Sequence, residues 1–200
     1  ISYVGELGWE LYCPFESGRR LWDILWEAGR KFGVVPAGIG VYGTTARLEK
    51  SYRLYGNDLD TEYNAVEAGM SRPKVKPQDF IGKEAYLKTR SEEPASVLCT
   101  LTVDDHTSPS GEKRYMVGHC PVLSLDGLPI EDRNGRRSYI TSAGSGPSLG
   151  KFILMAYLPP DRAEKNKRFL VEYFGDTYPV TVEAVGSVPL FDPENERMKG

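Results

Sequence analysis

The chain has 200 residues, 40% of them apolar, with 25 basic against 28 acidic side chains and a formal net charge of −3. A chain of this size buries one large core or two small ones, and its mixed charge provides no single-sign field to hold a nucleic-acid backbone or an anionic membrane. The longest apolar stretches, such as Phe152 to Leu158, fall far short of the roughly 20 residues of a membrane-spanning helix.

Three cysteines, Cys13, Cys99 and Cys120, are odd in number and far apart. They read as buried thiols in a reducing compartment, the cytosol (cytoplasmic) or an organelle matrix such as the mitochondrial matrix of a eukaryote, rather than as a disulfide framework. The start, Ile1-Ser2-Tyr3-Val4, has no initiator methionine and no basic or signal-like lead, which sets the expectation of a cut inside a larger polypeptide.

In chain order, Trp9-Glu10-Leu11-Tyr12 alternates as a half-buried strand does, ending at Pro14, with Glu10 and Tyr12 on one face. From Glu16 to Lys31, Leu21, Ile24, Leu25 and Ala28 recur at helical spacing, with Ser17 as N-cap and Gly29 or Gly33 as the stop. A second helix is predicted over 43–55, with Ala46, Leu48 and Tyr52 inward and Arg47, Lys50 and Arg53 mostly outward, until Gly56-Asn57 breaks it. Composition shifts after Gly69, a short helix runs from Phe80 to near Arg90, and the boundary falls at 91–95, dividing 1–92 from 93–200.

Beyond the boundary, strand candidates recur at Ser96 to Val103, Val117 to Leu123, Arg137 to Ala143, Ile153 to Leu158, Arg168 to Tyr173 and Tyr178 to Ala184. Asp126-Gly127, Asn134-Gly135 and Gly175-Asp176 supply turns between them. Short strands separated by turn signals indicate a small antiparallel barrel or sandwich, so the whole chain reads as α+β.

Several chemistry-bearing patterns have a plain explanation. Gly38-Ile39-Gly40-Val41-Tyr42-Gly43 matches the dinucleotide pattern GxGxxG, but only Val34-Val35 precedes it before Pro36, and no following βαβ unit completes the motif. His106, His119 and Cys120 lack the paired spacing of a zinc site, so no metal is expected. Arg72-Lys74-Lys76 and Arg133-Arg136-Arg137 are short, interrupted cationic stretches that read as solvated surface.

Tyr3-Val4-Gly5-Glu6-Leu7-Gly8-Trp9-Glu10 is different. It offers an aromatic ring, two glycines for tight backbone packing and two carboxylates four residues apart. A carboxylate beside an aromatic ring suits a flat heterocycle with an amidine-like edge, because it accepts two parallel hydrogen bonds from that edge. The alternative is a glycine-rich turn carrying two solvated acids.

Tyr-x-Gly-Glu-x-Gly-aromatic-Glu resembles the signature of the folate-binding aminomethyltransferase family, which includes the glycine-cleavage T-protein and the folate domains of dimethylglycine and sarcosine dehydrogenases and oxidases. Further segments agree in order: Ala46 to Asp60, Asn64 to Gly69, Phe80 to Ala85, Thr141 to Lys151 and Pro189 to Pro193. The resemblance implies the C-terminal part of a ferredoxin-like folate-binding α/β domain over 1–92, followed by a small antiparallel β-barrel domain over 93–200.

It implies tetrahydrofolate as cofactor, with Tyr3 and Glu10 on the pterin, Glu6 as a further acid that holds the turn, and Arg47 as a folate contact or a buried helix ion pair. The T-protein proper has an arginine where this sequence has Gly43, which leans toward the dehydrogenase branch. The family's catalytic aspartate lies upstream of the tyrosine motif, so the catalytic residue is unknown here; Asp58 and Asp60 read as turn residues.

The activity implied is one-carbon transfer from a methylated amine, oxidised by an upstream FAD domain, onto folate, with the short cationic stretches drawing in an anionic folate tail. The alternatives are a stand-alone aminomethyltransferase or demethylase, and a non-catalytic regulatory relative. Unpaired sheet edges and apolar surface lead to an expectation of self-association.

Overall fold

The computed structural model describes residues 2–71 and 74–199. Arg72, of the first cationic stretch, and Ile1 lie outside them. The chain is α+β. Its carboxy-terminal part holds six antiparallel strands: β1 (Val97–Val103), β2 (Val122–Leu123), β3 (Ile140–Gly146), β4 (Lys151–Leu158), β5 (Arg168–Tyr173) and β6 (Asp176–Val185).

The strands lie in the order β2-β5-β6-β1-β4-β3. The two end strands are then tied together: the His119 amide donates to the Ile140 carbonyl at 2.6 Å, Ile140 to Cys120 at 2.9 Å and Val122 to Ser138 at 3.0 Å. These bonds curl the sheet into a small barrel, which removes most of the open edge that an isolated sheet would present. β5 and β6 pair Tyr173 with Asp176 across a two-residue turn, whose Phe174 and Gly175 have φ of 54° and 81°, the geometry that matches strand twist. β2 is shorter than its predicted run because residues 117–121 leave the ladder, with His119 at a φ of 68°.

β4 shows how the layers are built. Leu154, Ala156 and Leu158 point into the barrel with Cys99, Leu101, Phe169 and Val182, while Ile153, Met155 and Tyr157 pack on the other face with Leu48, Tyr63, Ala68 and Leu98. Alternation along a strand sends successive side chains to opposite faces, and here both faces are buried. Each fully buried Leu or Ile contributes about 1.5–3 kcal/mol, so β4 joins the barrel core to the amino-terminal part.

The described residues of the amino-terminal part, up to residue 92, form helices and loops, with a single isolated bridge among them between Tyr55 and Leu59. α1 (Gly18–Gly29) is flanked by 3-10 turns at Phe15–Ser17 and Arg30–Phe32, and Gly33, at a φ of 74°, stops it. Three expectations are corrected here. Ser17 has helical backbone and makes no side-chain cap bond. Residues 9–12 form no strand; Trp9 is 81% exposed and no neighbouring strand offers its backbone a partner. Cys13 is exposed, whereas Cys99 and Cys120 are buried.

The second helix differs most. A π-helical stretch over Val41–Ala46 runs into α2 (Arg47–Glu49), and Ser51 then takes a left-handed φ of 54°. The wider i to i+5 turn shifts the helical phase, so Arg47 and Lys50, predicted outward, are only 2% and 3% exposed. β3 meets this turn at Gly144, where a Cβ would stand 1.7 Å from the Thr44 carbonyl oxygen. α3 (Lys83–Ser91) lies where a short helix is predicted, and the chain closes with α4 (Glu196–Lys199).

Candidate functional site

The buried polar centre behind the site is Asp58, fully buried. Its Oδ2 accepts from Arg47 Nη1 at 2.7 Å, Ser142 Oγ at 2.9 Å and the Leu54 amide at 2.9 Å, and its Oδ1 accepts from the Thr141 hydroxyl. Arg47 also donates from Nε to the Gly43 carbonyl at 2.8 Å, from Nη1 to the Tyr52 carbonyl at 3.1 Å and from Nη2 to Ser142 Oγ at 2.7 Å. A buried ion pair holds only when its remaining donors and lone pairs are satisfied, and this one is. Arg47 is therefore a buried ion-pair support for the 51–58 loop, and Asp58 is no mere turn residue.

The loop so fixed receives the signature tyrosine, which lies far from it in sequence. Tyr3 donates its hydroxyl to the Arg53 carbonyl at 2.8 Å. Its ring lies 4.9 Å from that of Tyr42 and stacks on Tyr52 at 6.1 Å. Tyr42 comes from the glycine-rich stretch, which serves here as an aromatic wall. Burial pushes the Tyr3 hydroxyl above its ordinary value, against the pull of Arg47, so it stays protonated and remains a donor at neutral pH.

Ser2 Oγ accepts from the Gly5 and Glu6 amides at 3.0 and 3.2 Å. Gly5, at a φ of 75°, lies so close over Lys50 that a Cβ would stand 2.6 Å from Cγ of that side chain; only glycine fits there. Tyr3 then borders a cavity of about 460 Å³ with Ser2, Lys50, Tyr52, Arg53, Gly69, Met70, Ser187 and Pro189.

The other motif residues stand apart from this cavity. Glu6 pairs with Arg197 at 2.8 Å while the Leu7 amide donates to the Arg197 carbonyl at 2.9 Å. Glu10 is exposed and accepts from the Tyr12 hydroxyl at 2.5 Å, so the expected neighbours on one face do meet, without a strand. The carboxy-terminal segment holds the arrangement from behind: Lys50 bonds the Asp192 carbonyl and lies 3.6 Å from its carboxylate, and the Leu190 and Phe191 amides donate to the Glu49 carbonyl.

A second buried polar group joins the barrel to the 62–67 loop. Arg136, predicted as solvated surface, pairs with Glu67 and Asp132 and lies 4.4 Å over the Tyr63 ring. Burial alone pushes Asp132 up, but hydrogen bonds from the Arg136 and Asn134 amides and from the Ser96 and Arg136 side chains outweigh it, holding the carboxyl below the usual range. Among the described residues no group of three or more His, Cys, Asp or Glu is arranged to hold a metal ion, and no helix is long and apolar enough to cross a membrane.

Sequence reasoning missed Tyr42, Tyr52 and Arg53 as neighbours of Tyr3, and Asp58 as the centre. Asp58 carries one signal, its place in the ordered run from Ala46 to Asp60, but its partners Thr141 and Ser142 are too distant in sequence for spacing to reveal.

Comparison with known proteins agrees with this architecture. The model of the GCVT N-terminal domain matches residues 1–75 and that of the glycine cleavage T-protein C-terminal barrel domain matches residues 98–192. The chain is 36% identical to an aminomethyltransferase of Halothermothrix orenii over 81% of its length and 41% of that protein. It is 33% identical to human mitochondrial dimethylglycine dehydrogenase over its whole length and 21% of that protein. To 4-methylaminobutanoate oxidase (formaldehyde-forming) of Paenarthrobacter nicotinovorans it is 32% identical over its whole length and 22% of that protein. It thus spans less than half the length of these relatives.

The crystal structure of glycine cleavage system aminomethyltransferase T from Bartonella henselae superposes with a TM-score of 0.78 over 96% of this chain and 48% of that one, at 21% identity, a likeness of fold. With both parts of one architecture matched in order, and relatives above 30% identity over most or all of its length, the chain belongs to the glycine cleavage T-protein family.

Proposed function

We propose that this chain carries the pterin-binding wall of a tetrahydrofolate-dependent one-carbon transfer module, within a protein whose FAD domain oxidises a methylated amine. The observation that carries the reading is Tyr3, the signature aromatic, clasped by Tyr42 and Tyr52 at the edge of a cavity of about 460 Å³ with its hydroxyl held by the Arg53 carbonyl. Flat aromatic walls with a few fixed polar groups are what a heterocyclic ligand requires.

Tetrahydrofolate, when bound, accepts the one-carbon unit. Tyr3 bounds its ring, and Glu10, which stands outside the cavity with one carboxylate oxygen engaged by Tyr12, offers acceptors to an amino-pyrimidine edge that projects beyond the rim. Glu6, tied to Arg197, orients the turn between them. The buried Arg47–Asp58 pair fixes the loop against which Tyr3 rests, a positioning contribution of the kind that lowers barriers by holding reactants in place. The catalytic acid is supplied from outside this chain.

Two features favour the demethylating branch over a stand-alone aminomethyltransferase. The dehydrogenase and oxidase relatives align over the whole chain, the aminomethyltransferase over 81% of it, and Gly43 stands where the T-protein proper has arginine. The exposed apolar residues before Val41 also support self-association of the isolated chain, which light scattering over a dilution series tests.

Calorimetric titration with a reduced folate tests the assignment. Glu10→Ala and Tyr3→Ala are expected to weaken binding at least tenfold. Wild-type affinity in both variants would overturn the site, and absence of binding in the wild-type chain would shift the reading to the regulatory relative.

A further inference from the structure

Around the 51–58 loop and the barrel, the cations that lie inside the fold mostly face carboxylates, and Arg53 differs from them. Arg47 faces Asp58, Arg136 faces Glu67 and Asp132, and Lys50 faces Asp192. Arg53 has carbonyls alone: its Nε donates to Ala68 at 2.9 Å and its Nη1 to Ser51. Its Nη2 is buried and has no hydrogen-bond partner among the described residues. A part-buried guanidinium whose Nη2 is cut off from water and left unbonded is costly, because that donor loses its hydration and gains no partner.

The place of this exception matters. Arg53 lines the cavity beside Tyr3, and none of the other residues around it, Ser2, Tyr3, Lys50, Tyr52, Gly69, Met70, Ser187 and Pro189, brings a carboxylate. Nη2 and Ser187 Oγ lie 3.1 and 3.2 Å from the point where a Cβ on Gly69 would stand. The lack of a side chain at Gly69 thus leaves the rim next to the free donor thin, and exposed Ser187, bonded to the Gly69 carbonyl at 2.5 Å, closes it. In a cavity of about 220 Å³ beside Lys151, by contrast, that lysine is already paired with Glu183.

We infer that Arg53 anchors a carboxylate-bearing group in the cavity beside Tyr3, reached when Ser187 turns aside from Gly69. A guanidinium presents donors that match a carboxylate, and occupancy gives Nη2 the partner it lacks among the described residues. The inference rests on the pterin-site reading, in which the ligand drawn to this wall is a folate, whose glutamyl carboxylates are one source of the group. A small carboxylate such as an N-methyl amino acid is the other source of the same chemistry.

The test is calorimetric titration of the chain with three probes: p-aminobenzoylglutamate for the tail, N-methylglycine for the small carboxylate, and tetrahydropterin for the ring alone. In Arg53→Gln, affinity for the carboxylate probe that binds is expected to fall about tenfold more than affinity for tetrahydropterin, with Arg53→Lys intermediate. In the wild-type chain the Arg53 Nε–H resonance is expected to move on titration with that probe, a readout independent of how the variants fold. Which probe binds identifies the source. A carboxylate probe that leaves the Arg53 resonance still, or no binding of either one, overturns the assignment. Tetrahydropterin binding in that event preserves the pterin site, and its absence removes both.

Discussion

The barrel and the first forty residues obey the same patterning rules with opposite results. In the barrel every second residue of β4 meets a core, and Leu154, Ala156 and Leu158 are fully buried. In α1 the apolar residues recur just as regularly, yet Trp22, Ile24 and Leu25 are 58%, 53% and 46% exposed and no residue of the helix is buried. Amphipathicity specifies a face; stability comes from whatever covers that face. The barrel closes on itself, whereas a helix of twelve residues left to its own propensity is marginal.

The sharpest way to break this comparison is to remove the acid that links the two regions. Asp58→Ala leaves Arg47 buried without its carboxylate and removes the acceptor shared by Thr141 and Ser142 on β3, and it is expected to cost about 3–5 kcal/mol. Urea unfolding followed by barrel signals reads this loss; a barrel transition that does not move would show the two parts to be independent. Next comes a matched pair of truncations. Leu154→Ala is expected to cost about 2–5 kcal/mol, while Ile24→Ala in α1 stays within about 0.5 kcal/mol. Equal losses in the same unfolding assay would refute the contrast.

A smaller effect follows from pH. Asp132 titrates below its ordinary value in the folded chain, so its contribution is present above the unfolded value of about 3.9 and disappears as pH falls through the lower folded value. Melting temperature should therefore fall below about pH 4, and Asp132→Asn should flatten that acid limb. The smallest perturbation is chemical: burial pushes the Cys99 thiol up to about 12 and also raises Cys120, so a thiol reagent should modify Cys13 first in the native chain. Mass spectrometry of the labelled peptides checks this.

These contrasts also explain what the sequence made legible. β5 matches its predicted run over Arg168–Tyr173, because a barrel strand with turn residues at both ends follows a period that its own residues announce. Trp9 to Tyr12 has the same alternation and forms no strand, since a strand depends on a partner that its sequence does not contain. The inward turn of Arg47 was hidden by the π-helical stretch before it, which breaks the 3.6-residue phase. Tyr3 stands out through the order of the motif around it. Arg53 had no such signal, because the lack of a partner for its Nη2 depends on where residues distant in sequence end up.

Gly144 bears on how such chains diversify by recombination. The Thr44 carbonyl occupies the space that any larger residue at this position would need, so the sequence of the barrel and the backbone of the π turn constrain each other. A chimera that joins residues 98–192 of a relative to this amino-terminal part inherits a clash unless glycine stands at the equivalent of 144. The two family models divide the chain at a seam, but the unit that can be exchanged without repair is the pair, β3 together with the turn it receives.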